Sequence, residues 1–429
     1  MSTSDYRLFR VCSTGPYVES FRAFLRRERE RSYDETMQRC REAGFLYPGS
    51  LAARLEAHGV EVMEAIVDAP PLQRKWLAEH GAVRRLPVDV NGVFLRQLRA
   101  FKPDVVYFQT FFAVPPEVRR TIRDACPSVR LVVGHRGFPL RDCADYGDVD
   151  AAFLGYPRFH ERWHAAGVRT FFQPHCFDEA MLPAIRQRAR EIDQIDFSFV
   201  GTTGWGYGPH GGRYYDLRRV LEATNLTVCG NEPTASHSLD VAAPSGARAH
   251  ARRLVMALRR IVHRVRGTAR VRALRRAACA AVPRQPPGRG TRRDWYDGEK
   301  PLAELFPERV RPPRFGVDYC AMLAASRITW NRHLEMEGAG ANMRLFEACG
   351  VGTCQLVDAR DEVLDAYEAD AEIVTYRSID ECIQKARWLL EHPGDCARIG
   401  EAGQARTLRD HTVEQRAARL HHDLTSLLA

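Results

Sequence analysis

The sequence predicts an α/β protein built from two doubly wound, parallel-sheet domains that face a central cleft. The chain has 429 residues, which is too long for one ordinary core and suits two domains. Short apolar runs alternate with amphipathic stretches in two separate series, as expected for parallel strands and their crossover helices. Open sheets of this kind bind their ligands in the crevice at the carboxyl ends of the strands.

The first series begins with "YRLFRVCSTG", a strand that ends at Gly15. "SLAARLEAHGVEVMEAI" reads as a helix, a glycine stop and a second strand. "LRQLRAFKPDVVYFQT" and "VRRTIRDACPSVRLVVGHRG" each add a helix, a turn and a buried strand. "DVDAAFLGYPRFHERWHAAGVRTFFQPHCFDE" then supplies strand, helix and strand. The pattern predicts a Rossmann-like N-terminal domain over residues 1–178.

The second series starts after a polar helix at about 179–193, with the strand "IDFSFVG" and the helix and strand of "YYDLRRVLEATNLTVCGN". The alternation breaks near Pro233 and resumes near Phe315 with helix "VDYCAMLAASR" and strand "ITWN". A helical tail at about 395–427 ends the chain. We therefore predict a second Rossmann-like domain over residues 179–405, interrupted by an insert at 233–300.

This insert carries the basic charge of the protein. The net charge is +9, and 15 Arg with no Asp or Glu lie between Arg248 and Arg293. In "RRLVMALRRIVHRVRG" the apolar residues fall on one helical face and Arg on the other. Such a segment suits an anionic membrane surface, a nucleic acid or an acidic partner. A surface hairpin covering an apolar patch of its own domain is the alternative.

Several classes of protein are disfavoured by the composition. No run approaches the roughly 20 apolar residues that cross a bilayer. The start, "MSTSDYRLFRVC", has no basic segment followed by an apolar stretch, so we expect no secretory signal and a cytoplasmic location. The 12 cysteines are scattered singly, without the spacing of a zinc site, and are expected to be reduced and mostly buried.

The stretch "ANMRLFEACGVGTCQLVD" predicts an anion site at the start of a short helix. Asn342 suits an N-cap, which leaves free N–H groups and the positive end of the helix facing the crevice, where a diphosphate can bind. Arg344 adds a forked donor for phosphate oxygens, and Glu347 can accept hydrogen bonds from two adjacent hydroxyls, as on a ribose. The alternative is a structural i,i+3 pair of these two side chains, worth only about 0.2–0.5 kcal/mol.

A glycine-rich loop in the same domain is a second candidate. "FSFVGTTGWGYGPHGGRYYDLRRVLE" runs from a buried strand through Gly201 and Thr202 into a helix that contains Arg213. Glycine permits the positive φ angles that turn backbone N–H groups toward an anion. The spacing fits neither a dinucleotide fingerprint nor a P-loop, so an ordinary loop is the alternative.

These motifs carry a resemblance to a known family. "NMRLFEACGVGTCQLVD", "EIVTYRSIDECIQKARWLLEHPGDCARIGEAGQARTLRDHT" and the upstream "GVDYCAMLAASRITWNRH" resemble the C-terminal signature of bacterial GT-B glycosyltransferases. The similarity is to the group-1-like clan, especially its spore-maturation-protein (CgeB-like) type. It covers roughly residues 315–412, with weaker similarity at "DFSFVG", "KPDVV" and "FQPHCFDE".

The resemblance implies transfer of a sugar from a nucleotide-diphosphate donor bound by the C-terminal domain. It places Glu347 at the donor's ribose, and Asn342 and Arg344 beside the pyrophosphate or the sugar. Gly201 and Arg213, with Thr202 next to them, would lie on the opposite phosphate-facing loop.

One position departs from the pattern of the clan. Many relatives carry a second Glu eight residues before the first, and that position is Ala339 in this sequence. Glu335 and Glu337 are near but out of register. Asn331 and His333 are the nearest polar candidates for the missing role, and we include both among the predicted donor-binding residues.

In the first domain, "VVGHRGFPL" places His135 and Arg136 directly after a strand, on the crevice side of a parallel sheet. His135 is predicted as the catalytic residue, either as a general base on an acceptor hydroxyl or as a hydrogen-bond partner of the donor sugar. Arg136 and Gly15 are predicted on the acceptor side. A packing or surface role is the alternative for a lone loop histidine.

"DYGDVD" contains Asp148 and Asp150 in the D-x-D pattern of metal sites in another glycosyltransferase fold. The residues that follow read as a plain buried strand, so we expect Asp150 to cap the strand rather than bind metal. If the helix dipole and Arg neutralise the diphosphate, no metal is needed.

Together these features predict a metal-independent hexosyl- or related transferase of bacterial cell-surface glycan synthesis, with no cofactor. Its partners would be a nucleotide sugar and an unknown glycan, lipid-linked or protein acceptor; nucleic acid is not expected. Docking through residues 248–293 would give it a peripheral place on the inner membrane face. The resemblance also implies that a C-terminal helix, 406–429, packs back toward the N-terminal domain.

Two other functions stay open at this point. The first is a non-catalytic Arg-rich binding module, for nucleic acid or an anionic membrane, on a degenerate scaffold of the same fold, which the missing Glu at Ala339 favours. The second is sugar epimerisation in the same donor pocket, which needs acid and base carboxylates that the sequence does not reveal.

Overall fold

The computed structural model describes residues 5–13, 18–81, 88–137, 148–165, 167–204, 211–231, 300–333 and 341–429. Gly15, the insert between 233 and 299, and Glu335, Glu337 and Ala339 lie outside the described residues, so the predictions made for them stay predictions.

The first sheet has six parallel strands in the order β2-β1-β3-β4-β5-β6. Leu8, Phe9 and Val11 of its first strand are fully buried, so both faces of the strand are covered, as in doubly wound sheets. The strands are β1 (Arg7–Cys12), β2 (Glu61–Ile66), β3 (Val105–Phe108), β4 (Leu131–Arg136), β5 (Ala151–Leu154) and β6 (Arg169–Phe172).

Helices connect these strands. They are α1 (Val18–Arg27), α2 (Tyr33–Glu42), α3 (Leu51–Ala57), α4 (Pro70–Glu79), α5 (Val90–Phe101), α6 (Pro116–Arg119), α7 (Ile122–Ala125) and α8 (Pro157–Ala165). The alternation read from the sequence did not predict α1, α2 and α4. A local signal existed for α2, because Ser32 and Glu35 form a reciprocal capping box at its start.

The second sheet also has six parallel strands, in the order β12-β11-β10-β7-β8-β9. They are β7 (Ile195–Thr202), β8 (Thr227–Asn231), β9 (Val310–Arg311), β10 (Ser326–Asn331), β11 (Cys354–Asp358) and β12 (Val374–Tyr376). Two six-stranded parallel sheets with crossover helices confirm the predicted fold class.

The second series of helices starts with a 3₁₀ turn at Glu179–Met181. It continues with α9 (Leu182–Ala189), α10 (Gly211–Ala223), α11 (Leu302–Leu305), α12 (Gly316–Ala324), α13 (Met343–Gly350), α14 (Asp361–Leu364), α15 (Ile379–Glu391), α16 (Pro393–Asp410) and α17 (Val413–Leu428). The helix expected at 179–193 is therefore shorter than its polar pattern indicated.

The predicted tail helix is divided into α16 and α17. The chain turns at His411, and Thr412 caps α17 through a capping box with Gln415. Phe177, in the link between the domains, forms a bridge with Thr412. Buried residues of α17 join the core of the first domain; they are Val413, Ala417, Leu420 and Leu424, in one cluster with Tyr6, Leu8, Leu51 and Leu55.

Among the described helices, none is long and apolar enough to span a membrane. The cysteines of the described ranges are free and buried, in agreement with the prediction of reduced, buried thiols. Cys349 and Cys354 pack into the apolar cores of the second domain.

The contact between α17 and the first domain predicts the effect of a core substitution. Leu420 is fully buried, so Leu420→Ala is expected to lower the free energy of unfolding by about 2–5 kcal/mol through lost burial and a cavity. Ser426→Ala, at an exposed position of the same helix, is the control. Urea denaturation measures both, and equal stability of the two variants would contradict this packing.

Candidate active site

A cleft of about 700 Å3 lies where the carboxyl ends of the two sheets meet. The end of β4 and residues that follow β1, β3, β5 and β6 line one wall. Residues of β7 and β8, His333 after β10 and the start of α13 line the other. The predicted site residues that line it are His135, Arg136, Gly201, Thr202, Arg213, His333, Asn342, Arg344 and Glu347. Gly15 lies outside the described residues.

The start of α13 is built by two asparagines. Asn342 is extended (φ −79°, ψ 166°) and its side-chain oxygen accepts a hydrogen bond from the Leu345 N–H at 3.0 Å, which confirms the predicted N-cap. The Asn342 amide also donates to Asn331 Oδ1 at 2.9 Å. Only one of the free N–H groups of the first turn is satisfied by this cap, so the helix start keeps its positive potential.

Arg344 and Glu347 do not form the i,i+3 ion pair of the alternative interpretation. The Arg344 guanidinium instead donates to Asn331 Oδ1 at 3.3 Å and stands 5.4 Å from the centre of the Phe199 ring. Gly201 has a φ of 144°, and a Cβ there would lie 2.4 Å from Arg344 Nη2. Glycine at the end of β7 therefore leaves the space that the guanidinium occupies.

Arg213 brings a second guanidinium to the same wall. Its Nη1 donates to the carbonyl of Thr202 at 3.1 Å and its Nη2 to the carbonyl of Arg332 at 2.7 Å. Burial, with the nearby charges of Arg344 and Arg332, lowers the pKa of Arg213 to about 9.

Neither Arg213 nor Arg344 pairs with a carboxylate of the described residues. The Nε atoms of both are buried and have no hydrogen-bond partner among the described groups. Arg332, by contrast, forms an ion pair with Asp216. The wall therefore holds two buried guanidinium groups that no carboxylate of the described residues neutralises in a direct ion pair.

Glu347 is buried in the same wall, with 5% of its surface exposed. Its Oε2 accepts a hydrogen bond from the Tyr319 hydroxyl at 2.7 Å. Burial raises the pKa of Glu347, and the Tyr319 hydrogen bond and the Arg344 charge only partly oppose this effect. The carboxylate is thus held in one orientation beside the cleft.

The two polar candidates for the role of the missing Glu are placed differently. Asn331 is fully buried and does not line the cleft. Its side-chain nitrogen donates hydrogen bonds to Asn342 and Gln355, and its side-chain oxygen accepts one from Arg344. Asn331 therefore positions its neighbours. His333 lines the cleft, and its Nδ1 lies 2.7 Å from Asp358 Oδ1.

His135 stands on the opposite wall, at the end of β4. Gln109 Oε1 accepts from Arg10 at 3.2 Å, so the Gln109 amide nitrogen is left to donate to His135 Nδ1, at 3.3 Å. Burial and the adjacent His175 lower the pKa of His135 to about 3. An imidazole of such low basicity is a poor general base at neutral pH, so the geometry favours the hydrogen-bonding role.

His175 lies beside His135, with ring centres 6.1 Å apart, and its Nε2 lies 3.2 Å from the Gly137 carbonyl. Burial lowers the pKa of His175 to about 4. Both rings are neutral at physiological pH. Arg136 also lines this wall.

The D-x-D pair does not form a metal site. Asp148 pairs with Arg119 at 2.7 Å, and Asp150 pairs with Arg123 and accepts the Val132 N–H at 2.6 Å. Within the described ranges, no cluster of three His, Cys, Asp or Glu side chains has the arrangement to hold a metal ion.

The sequence did not predict three residues of the site: Tyr319 and His175, which line the cleft, and Asp358, which contacts the cleft residue His333. Asp358 ends the apolar run "CQLVD" on the strand beside that of Asn331, and this placement at a carboxyl end was a usable signal. Tyr319 sits in an apolar helix and His175 in the link between domains, where no local pattern marks a ligand site.

Comparison with known proteins supports this architecture. Residues 269–422 match the family model described as "Glycosyl transferase-like", which covers less than half of the chain and includes α13. Sucrose-phosphate synthase from Thermosynechococcus elongatus aligns with a TM-score of 0.55 and 11% identity, over 98% of this chain and 99% of that one. The fold is GT-B.

Two other solved structures share this GT-B fold. HepE from Anabaena, in complex with UDP-glucose, aligns with a TM-score of 0.52 and 12% identity over 98% of this chain and 100% of that one. A glycosyltransferase from Rickettsia africae gives 0.51 and 7% identity over 99% and 98%. No curated protein sequence matches the chain. At these identities the likeness concerns the fold.

The raised pKa of Glu347 predicts that removing its charge stabilises the protein. The pKa is higher in the folded than in the unfolded chain, so ionising Glu347 costs stability as the pH rises through the folded pKa. Glu347→Gln should therefore raise the melting temperature at pH 8. Below about pH 3, where the wild-type group is protonated in both states, the gain should vanish.

Differential scanning calorimetry across this pH range measures the effect. Glu391→Gln, at an exposed position of α15, is the control. A Glu347→Gln variant that is less stable than the wild type at pH 8 would contradict the desolvated position of this carboxylate.

Proposed function

We propose that this protein transfers a sugar from a nucleotide-diphosphate donor to an acceptor. One observation carries the proposal: the capped start of α13, the guanidinium groups of Arg344 and Arg213, and the buried carboxylate of Glu347 lie on one wall of the cleft. The match to the glycosyl transferase-like family model, and a GT-B fold shared with proteins of which one holds UDP-glucose, give independent support.

The charge of this wall suits the diphosphate. Two guanidinium groups and the N–H groups of a helix start offer forked donors and a positive potential to phosphate oxygens. Charge of this kind also stabilises a departing nucleotide diphosphate, because negative charge develops on it as the glycosidic bond breaks. We therefore propose that the reaction needs neither a metal ion nor a cofactor.

Glu347 suits the ribose of the same donor. One carboxylate oxygen is occupied by the Tyr319 hydroxyl, and the carboxylate can still accept hydrogen bonds from ribose hydroxyls. Tyr319 thus positions Glu347, which supports a nucleotide held at both its ribose and its phosphates.

The opposite wall suits uncharged groups. His135 and His175 are neutral and offer hydrogen bonds without the charge that would compete for the phosphates. We propose that His135 contacts a hydroxyl of the donor sugar or of the acceptor. Closure of the two domains would then exclude water and favour transfer over hydrolysis.

The competing interpretation is a non-catalytic, Arg-rich binding module on a degenerate GT-B scaffold. Two observations on the described chain count against it. The module would not need a buried, destabilising carboxylate at Glu347, nor glycine at 201 to admit Arg344. Epimerisation would require acid and base carboxylates beside the sugar, whereas the proposed place of Glu347 is at the ribose.

Calorimetric titration with a panel of nucleoside diphosphates tests the proposal. We expect the wild type to prefer one base and Glu347→Ala to abolish that binding. Arg344→Met should weaken binding about 10- to 100-fold, because it removes charge-assisted hydrogen bonds to phosphate. Arg398→Met, at an exposed site on α16, is the matched control and should bind as the wild type does.

The opposite result would support the binding module. Binding of any polyanion without base preference, with an affinity that falls steeply as salt rises, would contradict a nucleotide site and favour non-specific electrostatic binding.

We also propose that the Arg-rich segment 248–293 docks the protein on an anionic membrane surface. The 15 Arg residues without an acid, in a sequence with one apolar helical face, support this proposal. The wild type should sediment with vesicles that contain anionic phosphatidylglycerol and not with neutral phosphatidylcholine vesicles.

Deletion of residues 245–293 should abolish this sedimentation and leave nucleotide binding intact. Intact nucleotide binding would show that the shortened chain is folded. Equal vesicle binding by the deletion variant and the wild type would overturn membrane docking.

A further inference from the structure

His333 and Asp358 form a buried pair at the carboxyl ends of two strands of the second sheet, next to the cleft wall that carries Arg213 and Arg344. His333 follows β10 and is 2% exposed, and Asp358 ends the neighbouring strand β11. The Asp358 Oδ1 atom lies 2.9 Å from the backbone N–H of His333 and 2.7 Å from its Nδ1, while Arg360 Nε donates to Oδ2 at 2.6 Å.

These contacts decide which nitrogen of His333 carries a proton. Burial disfavours the charge on Asp358, but the hydrogen bond from His333 and the charge of Arg360 hold the pKa of this carboxyl well below its ordinary value. An ionised carboxylate can only accept hydrogen bonds. Nδ1 of His333 must therefore be the donor, and in the neutral ring Nε2 is left with a lone pair.

The Nε2 atom has no partner among the described residues. It is a buried polar atom, and leaving such an atom without a hydrogen bond costs about 1–3 kcal/mol. His333 lines the cleft, and Nε2 is on the side of the ring away from Asp358. Asn331, the other candidate near this place, has its amide fully used.

The chemistry of the wall selects the partner of this lone pair. Arg213 Nη2 donates to the carbonyl of Arg332, the residue directly before His333, so a guanidinium already lies beside the ring's backbone. In the neutral ring the Nε2 lone pair repels the oxygens of a phosphate. The group that suits it is a hydroxyl, which can donate a hydrogen bond.

We propose that His333 accepts a hydrogen bond from a hydroxyl of the transferred sugar, and that Asp358 is the positioning residue that keeps His333 in the accepting tautomer. The inference rests on the proposed function and deepens it, because it assigns recognition of the sugar to a pair of residues next to Arg213 and Arg344.

Paired titrations test the proposal in the full chain. Each variant is titrated with the nucleoside diphosphate preferred in the panel and with its glucose conjugate, starting with UDP and UDP-glucose. His333→Leu should leave the affinity for the free diphosphate unchanged and weaken the affinity for the conjugate about 3- to 10-fold, as expected for one lost hydrogen bond. His422→Leu, at an exposed histidine of α17, is the matched control.

Two further variants separate recognition from structure. His333→Gln places a carbonyl oxygen near the position of Nε2 and should recover part of the lost affinity. Asp358→Asn no longer fixes the proton on Nδ1 of His333, so it should reproduce the selective loss of affinity for the conjugate. Unchanged binding of the free diphosphate would show that the wall is intact.

Equal affinity of the wild type and His333→Leu for the conjugate would overturn the role of His333 and leave the proposed function standing. Equal loss for both ligands would also overturn it, because the residue would then act on the nucleotide or on the fold. If the wild type binds neither ligand, the proposed function fails and this inference fails with it.

Discussion

The rest of the site depends on two buried guanidinium groups that the described chain does not pair directly with a carboxylate. Arg213 and Arg344 form no ion pair with a carboxylate of the described residues, and both stand near the ring of Phe199. Burial is the main cause that lowers the pKa of Arg213 to about 9, and repulsion by the charges of Arg344 and Arg332 adds to it. Under the proposed function, the diphosphate of the donor would recover the stability lost in this way, and the wall would be organised for it before it binds.

Backbone geometry and a small polar network fix that charge in place. Gly201 at the end of β7 leaves space for Arg344, and Asn331 holds both Arg344 and the Asn342 cap. The first domain contributes neutral imidazole groups instead of charge, because burial lowers the basicity of His135 and His175. The cleft therefore has one wall suited to a diphosphate and one suited to hydroxyls. The two walls differ because the first sheet contributes one of them and the second sheet contributes the other.

Much of this could be predicted from the sequence, and the remainder depended on tertiary contacts. Apolar periodicity predicted both sheets, since it records which faces are buried, and the Asn342 cap is a local signal. The partners of Arg344 and Glu347 were not predictable in this way. Their i,i+3 spacing on a helix predicted an ion pair between them. In the fold, Arg344 instead donates to Asn331 and Glu347 accepts from Tyr319. The helix α2 was not predicted, although the capping box of Ser32 and Glu35 is a local sequence signal for its start.

The most direct test of the account is a crystal structure of the protein with the nucleoside diphosphate that it binds most tightly. The account predicts phosphate oxygens within hydrogen-bond distance of the first-turn N–H groups of α13 and of the Arg344 guanidinium, with the ribose hydroxyls against Glu347. A nucleotide bound away from this wall, or phosphates that leave both Arg213 and Arg344 without an anionic partner, would contradict it.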